Sequence, residues 1–434
     1  MGTRRYEHYW LRLSSGWLMQ LLHVRVGRFS RAVKLRGDGR ALSWRILMVP
    51  RRRLASLPWL LGGALAACSG TVDEGPEGLA VAAAATIRWD TKSQMKQIAG
   101  TRGCDSYTPT WAPDGNLYTA IGDCRPRGVP QKIGLGFGRI SGSTGYGVSF
   151  TPVPTGDPLN WDDTEVGDGV DALGDGRASE KTAGLLQVGG RLWHWIRNIS
   201  ADGTGIRLKF SDNYSTASPD FTWVNWSLPE VGYASLVQYG KGYAGGPVGY
   251  VYAVTPMRSS SSGSVSNSAY DLVPAFGLIR GSRSDLAVQS NWQYFCGSST
   301  SPAWCSAPAA AKNIFFQSGK KFKPRAAMSW NRGLGKFMLV LVYDPTPTTT
   351  DDDTRFTGAL MVLLSAKPWG PWQTVFSSGG TWPGGASTSA CNSTAWGAGD
   401  RADIPTKYMS GDGKTFYLFS SGGDCLSIAR GVLP

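Results

Sequence analysis

Histidine is almost missing from this chain: 434 residues contain three, and only His194 lies beyond position 67. A multi-histidine metal centre is thereby excluded. A Ser-His-Asp triad would have to use His194, which stands inside the bulky run Leu192-Trp193-His194-Trp195-Ile196 with no nucleophile motif beside it. A buried or cross-strand histidine is the expectation there. The seven cysteines show no Cys-x-x-Cys pair, which removes the usual zinc frameworks. Gly134-Leu-Gly136-Phe-Gly138 lacks the spacing and the strand-turn-helix setting of a dinucleotide loop. Charged residues make up only 17% of the chain, and the apolar run before Cys68 is too short and wrongly flanked for a stable spanning helix.

The formal charge of +13 is unevenly placed. Residues 1–67 hold 13 Lys/Arg against 2 Asp/Glu, and the remainder holds 31 against 29. The larger part is close to neutral, so no nucleic-acid partner is implied. The basic excess belongs to a targeting segment. From Met48 the sequence runs through three arginines and an apolar stretch to small residues and Cys68, the pattern of a secretory signal. Leu65-Ala66-Ala67-Cys68 also resembles the lipobox of bacterial lipoproteins, in which the cysteine is acylated. That resemblance implies a lipid anchor at Cys68 and, with Ser69 following, an outer-membrane or cell-surface location. The expected organisation is a basic extension over 1–47 (a misassigned start), a signal over 48–67, a tether over 68–85 and one domain over 86–434. Setting Cys68 aside leaves six cysteines, an even number that suits disulfides in an oxidising compartment. Cys104–Cys124, Cys296–Cys305 and Cys391–Cys425 are the favoured pairings among the fifteen that six cysteines allow.

What is plentiful is turn and aromatic chemistry: 57 Gly, 25 Pro, 18 Trp and 16 Tyr. Such a composition favours an all-β chain. One supersecondary unit recurs five times, two alternating apolar-aromatic runs around a Gly, Asp or Asn turn, which is a β-hairpin signature. The turns fall at Asp114-Gly115, Gly189-Gly190, Gly245-Gly246, near Gly333 and at Asp412-Gly413. Further strand-like runs lie between the hairpins, enough for four strands per repeat. The reading is a five-bladed β-propeller forming a single domain, which also closes the exposed sheet edge. Two packed sandwiches, the alternative, would not produce five similar hairpins. Ser211-Asp212-Asn213 followed by Phe221-Thr-Trp223 is similar to a sialidase Asp-box, a blade-turn device that says little about catalysis.

The first hairpin, CDSYTPTWAPDGNLYTAIGDC, is nearly its own mirror image. Asp105 lies nine residues before Asp114 and Asp123 nine after, so a symmetric turn makes them cross-strand partners, with Cβ atoms about 4.5–5.5 Å apart. Cys104 and Cys124 would then clamp the open end. Two carboxylates held so close raise one apparent pKa, which suits the acid and base, or acid and nucleophile, of a glycosidase. A calcium ion is the other occupant such a pair could take; otherwise no metal or organic cofactor is implied.

The blocks CDSYTPTWAPDGNLYTAIGD, LGFGRISG, AGLLQVGGRLWHWIRN, KPWGPWQTVF and IPTKYMSGDGKTFYLFSSGGDCLSIARGVL resemble, in order, a bacterial family of exported five-bladed propellers long labelled a domain of unknown function, some of whose members are endo-D-arabinanases. The resemblance runs from about Asp105 to Leu433. It implies that Asp105 and Asp123 are the acting acids. Glu180, ahead of the second hairpin, is the third acid candidate on the same rim. Asp424 repeats the Gly-Asp-Cys of the first unit, and this repetition favours a structural role for the motif. Trp111 and Trp330 are the candidates for stacking on sugar rings, since aromatic faces suit them. The expected function is hydrolysis of an arabinan or other furanoside-type polysaccharide by an exported, monomeric, lipid-anchored propeller. A non-catalytic carbohydrate-binding or protein-binding propeller is the alternative.

Overall fold

The chain divides into two compact units, Met1–Glu77 and Gly78–Pro434. The computed structural model describes residues 86–98, 101, 104–124, 133–153, 180–199, 204–259, 264–345, 357–383 and 397–434 of the second unit, and the backbone of 8–12 and 18–22 in the first. In the first unit, β1 (His8–Arg12) and β2 (Leu18–Leu22) form an antiparallel hairpin. The signal segment, Cys68 and the tether lie outside the described residues. Among those described, no helix is long and apolar enough to cross a membrane.

The second unit is a five-bladed β-propeller. The N-terminal strands β3 (Arg88–Trp89) and β4 (Lys96–Gln97) precede the blades but belong to the last of them. Blade 1 is β5 (Thr110–Trp111), β6 (Leu117–Cys124), β7 (Ile133–Ser141) and β8 (Ser149–Pro152). Blade 2 is β9 (Lys181–Val188), β10 (Arg191–Arg197), β11 (Ile206–Ser211) and β12 (Thr222–Leu228). Blade 3 has β13 (Ser235–Leu236), β14 (Tyr250–Met257) and β15 (Ala275–Ser282). Its outer position is shared by β16 (Gln293–Phe295), which pairs with β17 (Trp304–Cys305), and β18 (Asn313–Phe316). Blade 4 is β19 (Ala327–Asn331), β20 (Lys336–Tyr343), β21 (Ala359–Ser365) and β22 (Gln373–Ser377). Blade 5 is β23 (Ala402–Asp403), β24 (Thr415–Ser420) and β25 (Ser427–Val432). Its outermost strand comes from the other end of the chain: β3 and β4 both pair with β25, so the ring is closed by residues 88–97.

The five sequence hairpins are the first two strands of the five blades. In the first, Thr110 faces Tyr118 and Trp111 faces Leu117, so the turn is symmetric about Asp114. Asp114 fixes that turn by accepting from the Asn116 backbone N–H (2.9 Å), the Asn116 amide (2.9 Å) and the Tyr118 hydroxyl (2.8 Å). Burial alone would raise its pKa, but these donors, with Arg139 nearby, hold it below its usual value.

Apolar side chains fill the spaces between blades. Tyr118 and Phe137 of blade 1 meet Leu185 and Leu192 of blade 2. Blades 2, 3 and 4 share one cluster around Trp195, Tyr233 and Phe322. Val340 and Leu360 meet Phe416 and Leu418 between blades 4 and 5. Ile121 and Ile140 meet Phe419 and Ile428 between blades 5 and 1. The inner strands approach closely. A Cβ on Gly184 in β9 would sit 2.4 Å from the carbonyl oxygen of Ala234 and 2.8 Å from the amide nitrogen of Leu236 on the next blade. Gln238 and Ser329 bridge in parallel, so the inner strands of blades 3 and 4 run the same way. The residues just ahead of those strands therefore gather on one rim of the central axis.

Candidate functional site at the mouth of the pore

The rim at the strand starts carries a polar cluster built from every blade. Arg325, ahead of β19, is its centre. Its Nη1 donates to the Ser106 hydroxyl (2.9 Å) and to Asp400 Oδ2 (2.9 Å), and lies 3.8 Å from Asp105 Oδ2. Lys323 Nζ is 3.8 Å from the other Asp400 oxygen. The side chains of Asp105 and Asp400 are 15% and 14% exposed, so both carboxylates are sheltered but reachable. Burial alone would make Arg325 surrender its proton more readily, but Asp400 and then Asp105 hold its pKa above the ordinary arginine value. Arg325 thus places a fixed cation where two carboxylates meet.

Below this layer, Arg401 of blade 5 ties three blades together. It makes a two-pronged pair with Asp403 (2.5 and 3.0 Å) and donates to the Ala183 carbonyl (3.0 Å), the Tyr233 hydroxyl (2.8 Å) and the Ser235 hydroxyl (2.7 Å). Thr108 and Thr182 hydroxyls approach to 3.4 Å between blades 1 and 2. From blade 2, Arg197 donates through Nε to the Thr182 carbonyl (3.1 Å) and through Nη1 to the hydroxyl of Tyr270, which lies on the loop between β14 and β15.

The position of Asp105 corrects the mirror reading. Its backbone partner is Gly122: each N–H donates to the other's carbonyl, at 3.0 and 2.9 Å. The register is symmetric as far as Thr108, which donates to Ala120. It slips by one residue before Asp105, where Ser106 takes a left-handed φ of 55°. The extra residue is a bulge, a device that re-aims a side chain. Asp105 Oδ1 then lies over Gly122, 2.7 Å from where a Cβ would stand. Asp123 follows Gly122 in β6, and its side chain falls outside the described residues.

The other sequence candidates fall in different places. Glu180 immediately precedes β9 on the blade that also supplies Thr182 and Arg197. Trp111 and Trp330 lie toward the hairpin turns, on the order of 15–20 Å along their strands from Asp105 and Arg325 at about 3.3 Å per residue. Trp330 packs on Phe337 and Tyr239 (centroids 4.8 and 6.4 Å), and Trp111 joins the cluster between blades 5 and 1. The tryptophans and the acids are therefore not brought together. His194 is buried, as expected, with Nε2 3.0 Å from the Thr182 hydroxyl. Asp424 sits in the turn before β25 at a φ of 51°. Cys296 and Cys305 form the expected disulfide. Cys104 and Cys425 are also disulfide-bonded, and the side chains of their expected partners, Cys124 and Cys391, lie outside the described residues.

Among the described residues, no three His, Cys, Asp or Glu side chains come together to hold a metal. The cation between Asp105 and Asp400 is a guanidinium. Arg325, Asp400, Arg197 and Tyr270 are not among the residues expected from the sequence. For Arg325 and Asp400 the signal was available, since each lies two residues ahead of an inner strand. Tyr270 comes from a crossover loop and has no such marker.

No protein-family model and no curated protein matches the sequence. Solved structures do share its course at low similarity. A GH43_1 enzyme from Xanthomonas citri is 12% identical, with 78% of this chain and 90% of that one covered and a TM-score of 0.42. Bacillus subtilis levansucrase is 10% identical over 77% and 88%, with a TM-score of 0.41. The catalytic domain of Coprinopsis cinerea GH62 alpha-L-arabinofuranosidase is 9% identical over 80% and 98%, with a TM-score of 0.39. Likeness at this level carries no functional argument, so function rests on the chain's own residues.

Proposed function

We propose that the pore mouth is the active site of a glycoside hydrolase acting on an arabinan or other furanoside-type polysaccharide. The observation that carries this reading is the convergence on Arg325: a sheltered carboxylate, Asp105, delivered by a bulge to the rim beside a fixed guanidinium. A carboxylate next to a permanent cation stays ionised, which suits the base or nucleophile and not the proton donor. Asp400 is held by two cations, Arg325 and Lys323, and is a poorer proton donor still. The proton for the leaving oxygen then comes from Asp123, one residue beyond Gly122, with Glu180 as the second choice. The Tyr270 hydroxyl, on a half-buried side chain, is the group placed to donate a hydrogen bond to a sugar hydroxyl. Export and acylation at Cys68 complete the proposal, placing the propeller on a cell surface where polysaccharide is met.

The test is product release from a panel of arabinans, arabinogalactans and other glycans by the full chain, an Asp123→Asn variant and a Glu180→Gln variant. Loss in Asp123→Asn, with rescue on substrates carrying a good leaving group, identifies the donor. The same pattern in Glu180→Gln moves the role there. Release unchanged in both contradicts the assignment. A folded chain that releases nothing from any glycan is the result expected of a non-catalytic binding propeller.

A further inference from the structure

Among the described residues, three arginines are buried around the pore, and two of them have counter-ions there. Arg401 is paired with Asp403, and Arg325 with Asp400 and Asp105. Arg197, the last residue of β10, is 2% exposed. It donates to the Thr182 carbonyl, to Asn198 Oδ1 (3.4 Å) and to the Tyr270 hydroxyl, and among the described residues no carboxylate pairs with it. Burying a guanidinium without an anion is expensive. The faces of Tyr270 and Tyr233, 4.8 and 6.0 Å from its Cζ, offset part of that.

Arg325 also has donors to spare. Its two hydrogen bonds both leave from Nη1, and its buried Nε has no partner. Nη2 of Arg197 and Nη2 of Arg325 make no hydrogen bond among the described residues. The two guanidiniums share one ring: their Cζ atoms are 4.8 and 5.9 Å from the centroid of Tyr270. Two arginines with unspent N–H groups among the described residues therefore lie beside one tyrosine, and one of them, Arg325, is 3.8 Å from Asp105.

We propose that Arg197 and Arg325 form a subsite for a carboxylate carried by the glycan, so that the furanoside chain bound at Asp105 bears a uronic acid or other acidic substituent nearby. The inference rests on the mouth being the sugar-binding site. A planar carboxylate matches the guanidinium fork, and it supplies the counter-ion that Arg197 lacks. Tyr270 accepts from Arg197 and lies beside Arg325, and Asn198 donates to the same hydroxyl (2.5 Å), which fixes the ring.

The experiment is isothermal titration of the full chain with glucuronate, galacturonate and their trisaccharides, with the neutral counterparts, and with inorganic phosphate. The expected result is at least about tenfold tighter binding of an acidic member than of its neutral counterpart, as charge-assisted pairs warrant. That preference falls as salt rises from low to high, and it disappears in Arg197→Gln. If Arg197→Gln does not fold, Arg325→Gln reports the same loss, and the salt dependence of the unaltered chain needs no variant. Equal affinity for acidic and neutral sugars, or a preference that survives Arg197→Gln, overturns the subsite. Phosphate bound as tightly as the best uronate overturns the carboxylate assignment. Binding is read without turnover: a chain that cleaves nothing yet prefers the acid loses the hydrolase reading and keeps this subsite.

Discussion

Asp105 owes its place to one small neighbour. Its carboxylate lies over Gly122, where an added methyl would stand 2.7 Å from Oδ1. Gly122→Ala is therefore expected to push the carboxylate off Arg325, lowering kcat on the substrate at least tenfold while leaving the thermal midpoint within a few degrees. Turnover and thermal unfolding of the same variant check this, and unaltered turnover would show that the position of Asp105 is not used. His194 makes a prediction of a different kind. Burial and then the Lys209 cation push its pKa well below the ordinary value near 6.5. The folded state holds it neutral while the unfolded chain protonates it, so stability is lost as pH falls below about 6.5. Each pH unit of that loss costs at most about 1.4 kcal/mol, the limit for a single proton. Urea unfolding at pH 7 and pH 5 should show that slope, and His194→Gln should flatten it.

At the scale of elements, the short hairpin β16–β17 on blade 3 is held by Cys296–Cys305, whose partners in the ladder are Phe295 opposite Trp304 and Tyr294 opposite Cys305. Closing a loop of this length stabilises by about 2–3 kcal/mol in the chain-entropy picture. The double variant Cys296→Ser/Cys305→Ser should lose that much in denaturant unfolding, with activity unchanged because the hairpin is on the outer edge. The opposite is expected at β23. Asp403 and Arg401 are 4% and 2% exposed and join blade 5 to blades 2 and 3. Asp403→Ala leaves Arg401 buried without its anion and should lower stability by about 3–5 kcal/mol. A loss under 1 kcal/mol would mean that the guanidinium finds another partner. Elements of this kind were unequally legible. The second strand of each blade announces itself as an apolar-aromatic run after a Gly or Asp turn, a local signal, and in blades 2 and 4 the first strand does so too. The closing of blade 5 by Arg88–Trp89 and Lys96–Gln97 is a pairing across more than three hundred residues, and two-residue strands leave no periodicity to read.

For the whole molecule, five sheets around an axis turn sequence-distant strand starts into neighbours. That is why Asp105, Arg325 and Asp400 meet although they lie far apart in the chain. Composition and repeat counting were enough for the ring, because each blade has its own pattern. They were not enough for the site. The mirror of Asp105 and Asp123 assumed an unbroken register, and a bulge at Ser106, which no residue type demands, moved Asp105 opposite Gly122. Trp111 and Trp330 lie on inner hairpins and have faces suited to sugar rings, but strand direction carries them to the turn end. Nothing in the sequence sets the buried arginines apart from other charged residues, and only the packing of Tyr233 and Tyr270 against Arg197 gives it a setting.

Glycan hydrolysis by ionised Asp105 at the pore mouth is the proposed activity. It is tested most directly by measuring reducing-end release from the glycan panel by the full chain and by Asp105→Asn, with Asp212→Asn, a change in the exposed turn after β11, as the control. The account predicts release by the unaltered chain and by Asp212→Asn, and a loss of about a thousandfold or more in Asp105→Asn, the scale seen when a group central to the chemistry is removed. Equal release by all three would contradict it, and would move the chemistry away from the mouth of the pore.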